Sequence, residues 1–575
     1  MSRRQIFHSW LLILTFSALP VHAADSALDA VSIDASAVIR FKNPKATMAR
    51  LADLSDAVKK GLGDRVRNTE IGKLISNPDL TGVDMESDWW VAIYAAGGNK
   101  EPDVVYLIPA KDIKAMKSAL GNGVRFEEHG KFGVYTTDAD AVLGLKSGDK
   151  SISTLIDKDS NAVFEGGDLS AFINLPQLAA AYKTEIADGK QKLQESLENG
   201  QGMPGMNTRQ LAETAGPILD FLIQGLNDAQ SCTVAGIVSK EGISFEDLVK
   251  LRAGTATDKL LAKSPPGALA TLLSLPAGYV VYWGLTWNMA DFAQLNEWLM
   301  GLGGNAIGAE RSKELTQLLG EIAKLKIGSM VGAYGLGDPD QGAVRSITVT
   351  EADNPQKMRD LSRKIVKSLA SAEAQGVKQT FELKPDAEKF GKDSADIVTM
   401  KTEMEDDGSN PFAAMQQRMM SVLFGPEGME TRTVYLKDRF VQTVGGGKKQ
   451  MTEALAAIEK PAEGSKSPPQ QARARLGAKN NLVILLDLPN LIAKAASMML
   501  ESGQLPLPID PEDVKALQGK PSFVGLGATT EPQGLRVKTQ VPLEQMQGVA
   551  KIVDFMQRLF QGAGLGVPDE EPEEN

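Results

Sequence analysis

The chain contains very few of the side chains that bind transition metals or form disulfides. It has 575 residues, with one cysteine, Cys232, and three histidines. His8 and His22 lie in a predicted signal peptide, so the mature chain keeps only His129. A structural zinc site uses four Cys or His ligands, and a catalytic one usually has two or three His. We therefore predict no zinc site and no disulfide within one chain, and we assign no metal ligand, no cofactor and no catalytic residue.

The N-terminal residues have the pattern of an export signal. Arg3 and Arg4 precede a short apolar stretch, residues 10–19, and Val21-His22-Ala23 supplies small residues for a cleavage site. We predict cleavage after Ala23, and hence a periplasmic or extracellular location. Residues 2–7 also fit a twin-arginine signal, and the sequence does not distinguish the two export routes. The apolar stretch is too short to span a bilayer comfortably, so we expect no integral membrane protein after cleavage.

The chain has fewer basic residues than acidic ones, 62 against 73. The formal net charge is −11, and removing two arginines and no acid with residues 1–23 makes it −13. An anionic protein gains nothing from a phosphate polyanion, so nucleic acid is not an expected partner. Residues 563–575 end in a run of acids that predicts a disordered tail.

The same order of predicted elements occurs four times. Each unit begins with an apolar strand and a helix start, continues with a hairpin of two strands and ends with an amphipathic helix. The first strands are residues 37–42, 169–175, 279–287 and 482–488. The hairpins are residues 89–109, 232–248, 329–350 and 522–541, and the first and third units carry extra hairpin regions at 124–137 and roughly 378–444. We predict an internal duplication with halves 24–262 and 263–562.

These β-α-β-β-α units predict an α+β fold. Hairpins make antiparallel sheets, and we expect the helices to pack on one face of each sheet. A doubly wound nucleotide-binding fold is not expected. The polar, proline-containing stretch 461–479 predicts a linker before the last unit.

Two glycine-rich motifs partly match phosphate-binding loops. Residues 200–205 spell GxGxxG, but a charged helical segment precedes them where a strand is needed. Residues 444–449 lie between a strand and a helix, but they lack the spacing and the Ser/Thr of a Walker motif. The first motif predicts a loop between helices and the second a flexible turn.

A calcium-binding loop is a second possibility that the sequence leaves open. Asp157, Asp159, Asn161 and Asp168 occupy positions 1, 3, 5 and 12 of such a loop. Position 6, which requires glycine, is Ala162. A polar connector between two units is the favoured interpretation.

Two single residues could carry nucleophilic or acid-base chemistry. His129 lies between two strand-like runs, 124–127 and 132–136, which predicts a solvated turn. No G-x-S-x-G context accompanies it. Cys232 opens a strand and is expected to act as a small buried hydrophobe.

Methionine is concentrated in one segment. Six of the 21 methionines are Met400, Met404, Met415, Met419, Met420 and Met429. Flexible thioethers suit an adaptable apolar groove, and Met415, Met419 and Met420 are the candidate groove residues. Core packing is the alternative interpretation.

The segment from Ala27 to Met48, with Asp29, Asp34-Ala35 and Phe41-Lys42-Asn43-Pro44, resembles uncharacterised exported bacterial proteins of the planctomycete type. This resemblance implies an extracytoplasmic location and no particular activity. Our first hypothesis is a non-enzymatic exported binding or scaffold protein for an apolar molecule or another protein, with its site in the groove between the two halves. The alternative is a carbohydrate hydrolase that uses carboxylates alone. Acid clusters such as 84–88 and 405–407 could supply its carboxylate pair, but solvated turns are the favoured interpretation of these clusters.

Overall fold

The structure is a computed structural model that describes residues 27–562 with ten gaps. The gaps are residues 99, 122, 138–149, 199–218, 287–308, 338–341, 375–376, 405–410, 460–466 and 502–509. The fold is mixed α+β with extensive antiparallel sheet. The described residues form two compact units: unit 1 comprises those up to residue 262 together with 528–543, and unit 2 comprises the others. Within the described residues, no helix is both long and apolar enough to cross a bilayer.

Unit 1 contains nine antiparallel strands that pair side by side in one continuous sheet. They are β1 (Ala37–Phe41), β2 (Trp89–Tyr94), β3 (Asp103–Pro109), β4 (Arg125–His129), β5 (Phe132–Thr136), β6 (Leu169–Asn174), β7 (Ala229–Ser239), β8 (Gly242–Leu251) and, from the C-terminal part of the chain, β19 (Gly534–Pro542). Their spatial order is β4-β5-β3-β2-β1-β6-β7-β8-β19. The last strand in sequence therefore pairs with β8, almost 300 residues away.

The helices of unit 1 cover its sheet on both faces. They are α1 (Ala27–Ala30), α2 (Pro44–Val58), α3 (Leu62–Arg67), α4 (Ile71–Leu74), α5 (Ile113–Leu120), α6 (Lys158–Gly166), α7 (Leu175–Ala181), α8 (Lys183–Glu198) and α9 (Ala256–Ala262), with a 3₁₀ turn at Ile152–Leu155 and a further helical stretch over residues 219–228. One core joins Trp90 and Ala92 of β2 to Leu28 of α1 and Phe164 of α6. A second core joins Val91, which points to the opposite face, to α4 and α5.

The expectation that helices cover one face of the sheet is therefore wrong for unit 1. The physical reason can be seen in β2, whose sequence WWVAIY has no alternation of polar and apolar residues. Its first four residues are all buried. A strand that is apolar on both sides has to be covered on both sides.

Unit 2 contributes nine further antiparallel strands to the sheet. Its strands are β9 (Val281–Leu285), β10 (Ile327–Leu336), β11 (Val344–Ala352), β12 (Ser371–Ala374), β13 (Val377–Phe390), β14 (Asp393–Met404), β15 (Met429–Tyr435), β16 (Arg439–Val444) and β17 (Leu482–Leu486). They lie in the order β17-β9-β10-β11-β16-β15-β14-β13-β12. Strand β18 (Val524–Glu531) crosses the division between the units at residue 528.

The helices of unit 2 are α10 (Ala309–Ile322), α11 (Pro355–Ser368), α12 (Pro411–Phe424), α13 (Gly447–Glu459), α14 (Pro468–Ala474), α15 (Leu488–Glu501), α16 (Pro511–Lys515) and α17 (Leu543–Gly562), with a 3₁₀ turn at Ala270–Ser274. Its main core joins Tyr282, Val331 and Val483 of the sheet to Met451 of α13 and Leu476. Helix α14 lies within the predicted linker, which is thus partly helical: Pro468 begins it after the capping residue Ser467.

The structure confirms the predicted strands to within a few residues. The predicted Asn-Pro helix start also has a clear local cause. Asn43 adopts a left-handed φ of 37°, and its side chain accepts a hydrogen bond from the Ala46 N–H at 3.0 Å. Pro44 then occupies the first helical turn, where its missing N–H leaves no bond unmade.

Candidate functional site

A cleft of about 380 Å³ lies where β6 ends and β7 begins in unit 1. Four short segments line it: the turn before β1, the 3₁₀ turn, the β6–α7 junction and the start of β7. Its lining residues are Ile33, Asp34, Leu155, Phe172, Asn174, Pro176, Gln177, Gln230 and Ser231. The volume is near the lower end of the range for small-molecule sites, about 300 to 1,000 Å³.

The floor of the cleft combines apolar and polar groups. Phe172 is fully buried, and Asn174 and Ser231 beside it are 6% and 3% exposed. The Asn174 Nδ2 donates a hydrogen bond to the carbonyl oxygen of Ile33 at 3.3 Å, which ties the turn before β1 to the end of β6. The amide is thereby fixed in place before any ligand enters.

The rim carries one carboxylate, Asp34. It accepts hydrogen bonds from the Ser32 Oγ at 3.4 Å and from the Gln177 Nε2 at 3.5 Å. Both bonds are long, so the carboxylate can accept from a stronger donor without breaking a short bond. Burial raises the pKa of nearby Tyr94 to about 12, so this phenol stays neutral at physiological pH.

This arrangement is suited to binding. The apolar side chains give contact area, while one carboxylate and several amide and hydroxyl groups fix the orientation of a ligand. A molecule with an apolar body and an N–H or positive charge fits these groups best.

A second cavity, of about 160 Å³, lies between α6 and the strands β7, β8 and β19. Asp159, Glu246 and Arg536 line it. These charges are already paired: Lys250 Nζ lies 2.8 Å from Asp159, and Arg536 contacts Glu246. The cavity is too small for a sugar ring with its partners, and its ion pairs connect α6 and β19 to β8.

An ion pair between the partly exposed Arg50 and a buried carboxylate connects α2 to the start of β6. Asp168 is fully buried, and Arg50 Nη2 donates to its Oδ1 at 2.6 Å. Burial raises the pKa of Asp168 to about 7, although Arg50 and Lys42 act in the opposite direction. We take burial to dominate, because the second carboxylate oxygen has no hydrogen-bond partner among the described residues.

The structure places the predicted groove methionines only in part. All three lie on α12. Met419 is 40% exposed, Met420 is partly buried and the side chain of Met415 lies outside the described part. The exposure of Met419 disfavours the core-packing alternative for that residue. The apolar groove stays a prediction, because the structure describes the side chains of only two of these three methionines.

The four residues of the possible calcium-binding loop lie on α6 and its flanks. Asp157 caps α6 by accepting from the Ser160 N–H at 2.7 Å, and residues 158–166 are helical. A calcium-binding loop is an irregular turn over these positions, so this helix does not fit one. Among the described residues, no group of three acidic, Cys or His side chains is placed to hold a metal.

The remaining sequence candidates have local structural partners. His129 ends β4 at the hairpin turn and is exposed. Burial raises the pKa of Cys232 to about 12, which suppresses its thiolate. Asp88 accepts from Arg40 at 2.7 Å and Glu86 from Lys45 at 2.8 Å.

Three sequence motifs remain to be located in the structure. Residues 200–205 and 405–407 lie outside the described residues. Gly445 and Gly446 form the turn between β16 and α13, and Gly447 begins α13; all three have a positive φ.

Sequence reasoning did not find the cleft, because its lining comes from four segments with no shared motif. A comparison with protein-family models, curated proteins and solved structures finds no match to this chain.

Proposed function

We propose that this is an exported binding protein that holds a small, largely apolar molecule in the unit 1 cleft. The observation that carries the proposal is the cleft itself: a buried floor at Phe172, Asn174 and Ser231 with the carboxylate of Asp34 at its rim. The ligand class is a compact apolar amine or another donor-bearing molecule. The predicted export signal supports a function outside the cytoplasm.

The hydrolase alternative receives less support from this site. A glycosidase needs two carboxyl groups about 5 to 10 Å apart on either side of its substrate. Asp34 is the one carboxylate among the residues that line the larger cleft. The two acids of the smaller cavity are held by Lys250 and Arg536.

The binding proposal can be tested with a set of small probes of one shape. Benzylamine, benzyl alcohol and toluene differ in charge and donor capacity, and ligand-observed NMR reports their binding. We expect benzylamine to bind best. Asp34→Asn should weaken benzylamine binding about tenfold, as the loss of one charge-assisted bond would, and leave toluene unchanged.

A pair of tryptophan variants on α7 locates the site. Gln177→Trp fills the cleft and should abolish binding of all three probes. Ala180→Trp, on the same helix but outside the cleft lining, is the matched control and should bind as the wild type does. Equal binding by both variants would place the ligand elsewhere, and native mass spectrometry of protein from its own host would then identify any molecule that copurifies.

We also propose that the two halves of the chain are duplicates. The proposal is supported by the strand orders: β5-β3-β2-β1-β6 in unit 1 has the counterpart β16-β11-β10-β9-β17 in unit 2, position for position along the chain. Strands β12 to β14 are then an insertion. An experimental structure in which these five-strand sets fail to superpose would contradict it.

A further inference from the structure

One face of the unit 1 sheet carries a single charged side chain among apolar neighbours on three adjacent strands. We name it the Asp247 face. Its residues are Cys232, Val234 and Gly236 of β7, Phe245, Asp247 and Val249 of β8, and Leu535, Val537 and Thr539 of β19. Asp247 lies directly opposite Val234 on one side and Val537 on the other. It is therefore at the centre of an apolar patch.

Glu246, the residue before Asp247 on β8, is a carboxylate with ion-pair partners. Glu246 points to the opposite face, where it contacts Arg536 and Lys538. Asp247 makes no hydrogen bond or ion pair with any residue that the structure describes. Burial, and secondarily Glu246, raises the pKa of Asp247 to about 6.

An ionised carboxylate in apolar surroundings opposes folding unless a partner neutralises it. The described part of the chain supplies no such partner, and every residue of the patch except the buried Gly236 keeps partial exposure. Helix α2 packs against β7, and α9 contacts β19. The surface centred on β8 thus combines apolar area with one negative charge that lacks a counter-charge.

We propose that the Asp247 face docks an amphipathic helix of a partner protein whose apolar stripe contains one Lys or Arg. Charge complementarity selects the occupant, because a wholly apolar partner would leave the carboxylate desolvated and unpaired. Three strands are about 10 Å across, which matches the diameter of one helix. This proposal does not depend on ligand binding in the cleft.

The test uses the full mature protein and synthetic helical peptides of about 16 residues, the length that spans the face. The peptides share a leucine stripe and differ at one central stripe position, which is Lys, Glu or norleucine. Fluorescence anisotropy of a labelled peptide measures affinity. Cys232 is the single cysteine and lies on the face, so its modification by dithiodipyridine at pH 9 reports whether a peptide covers it.

We expect the Lys peptide to bind at least about tenfold more tightly than the Glu peptide and to slow modification of Cys232. Asp247→Lys should reverse the preference between the two peptides. Asp247→Asn, which keeps the shape of the side chain, should remove the preference. Glu246→Gln, one residue away and on the opposite face, should leave it unchanged.

Three results would overturn the proposal. Equal affinity for the Lys and Glu peptides would show that Asp247 selects nothing. A Cys232 that reacts in the free protein no faster than in the peptide-saturated protein, both judged against the unfolded chain, would show that the face is already covered. Concentration-dependent dimers that Asp247→Lys dissociates would assign the face to a second copy of this chain.

Discussion

The carboxylate of Asp396 in unit 2 offers the sharpest test of how this fold is held together. It is 3% exposed and accepts four hydrogen bonds from two arginines, Arg359 at 2.7 and 3.2 Å and Arg363 at 2.6 and 2.7 Å. The backbone N–H of Asp386 donates a fifth at 3.0 Å. Asp386 has a φ of 52° within a bulge between β13 and β14. Asp396 thereby connects α11 to an irregular stretch of the hairpin.

We predict that Asp396→Asn lowers the unfolding free energy of unit 2 by about 3 to 5 kcal/mol, the usual cost of removing one partner from a buried pair. The amide presents an NH₂ group to arginine donors, so at least two charge-assisted bonds are lost. The lowered pKa of Asp396 corresponds to a stabilisation of similar but smaller size. Burial would raise this pKa, but the bonds from Arg363 and Arg359 prevail and lower it from 3.8 to about 2. That difference corresponds to roughly 2.5 kcal/mol.

The sign of the pH dependence follows from the lowered pKa. The stabilisation is complete above pH 3.8 and is lost as the pH falls toward 2. Hydrogen exchange of β13 and β14 amides, read by mass spectrometry at pH 2 to 7, measures it without assuming two-state unfolding of the whole chain. Glu403→Gln is the control, since its exposed pair with Lys378 at 3.6 Å contributes at most about 1 kcal/mol. Equal effects of the two substitutions would refute the reasoning.

Three further predictions concern single side chains. Because burial raises the pKa of Asp168 from 3.8 to about 7, unit 1 should lose stability as the pH rises between these values; in urea unfolding the loss should total roughly 2 to 4 kcal/mol in the wild type and should be absent in Asp168→Asn. Asp247→Asn should raise the stability at pH 8 by about 1 kcal/mol, after allowance for partial exposure, and a thermal scan that shows a loss would contradict the burial argument. Met419→Ala should cost less than about 1 kcal/mol, because a side chain 40% exposed is not core, and peroxide should oxidise Met419 before unfolding; a cost of 2 kcal/mol or more in urea would restore the core interpretation.

The strands and hairpins could be predicted from the sequence because their signals are local. Alternating or continuous apolar runs bounded by glycine and polar turns define β7 with β8 and β10 with β11 to within a few residues. The helix start at Asn43-Pro44 follows from the backbone preferences of the same two residues.

The candidate sites could not be predicted in this way, because they depend on contacts between distant segments. The cleft forms only when Ile33, Leu155, Phe172 and Gln230 come together in the fold, and no spacing in the sequence indicates that they do. The methionine cluster was visible in the sequence, but whether Met419 is exposed depends on the packing of α12.

The sequence by itself determined the element order, the antiparallel hairpins and the shortage of histidine and cysteine, since each follows from residue type and short-range periodicity. Only the tertiary structure decided that helices cover both faces of the unit 1 sheet and that β19 pairs with β8. It also decided that Glu246 meets two cations while Asp247, the next residue, meets none in the described chain. The physical reason is that alternation sends neighbours to opposite faces, and the long-range pairing of strands chooses what each face contacts.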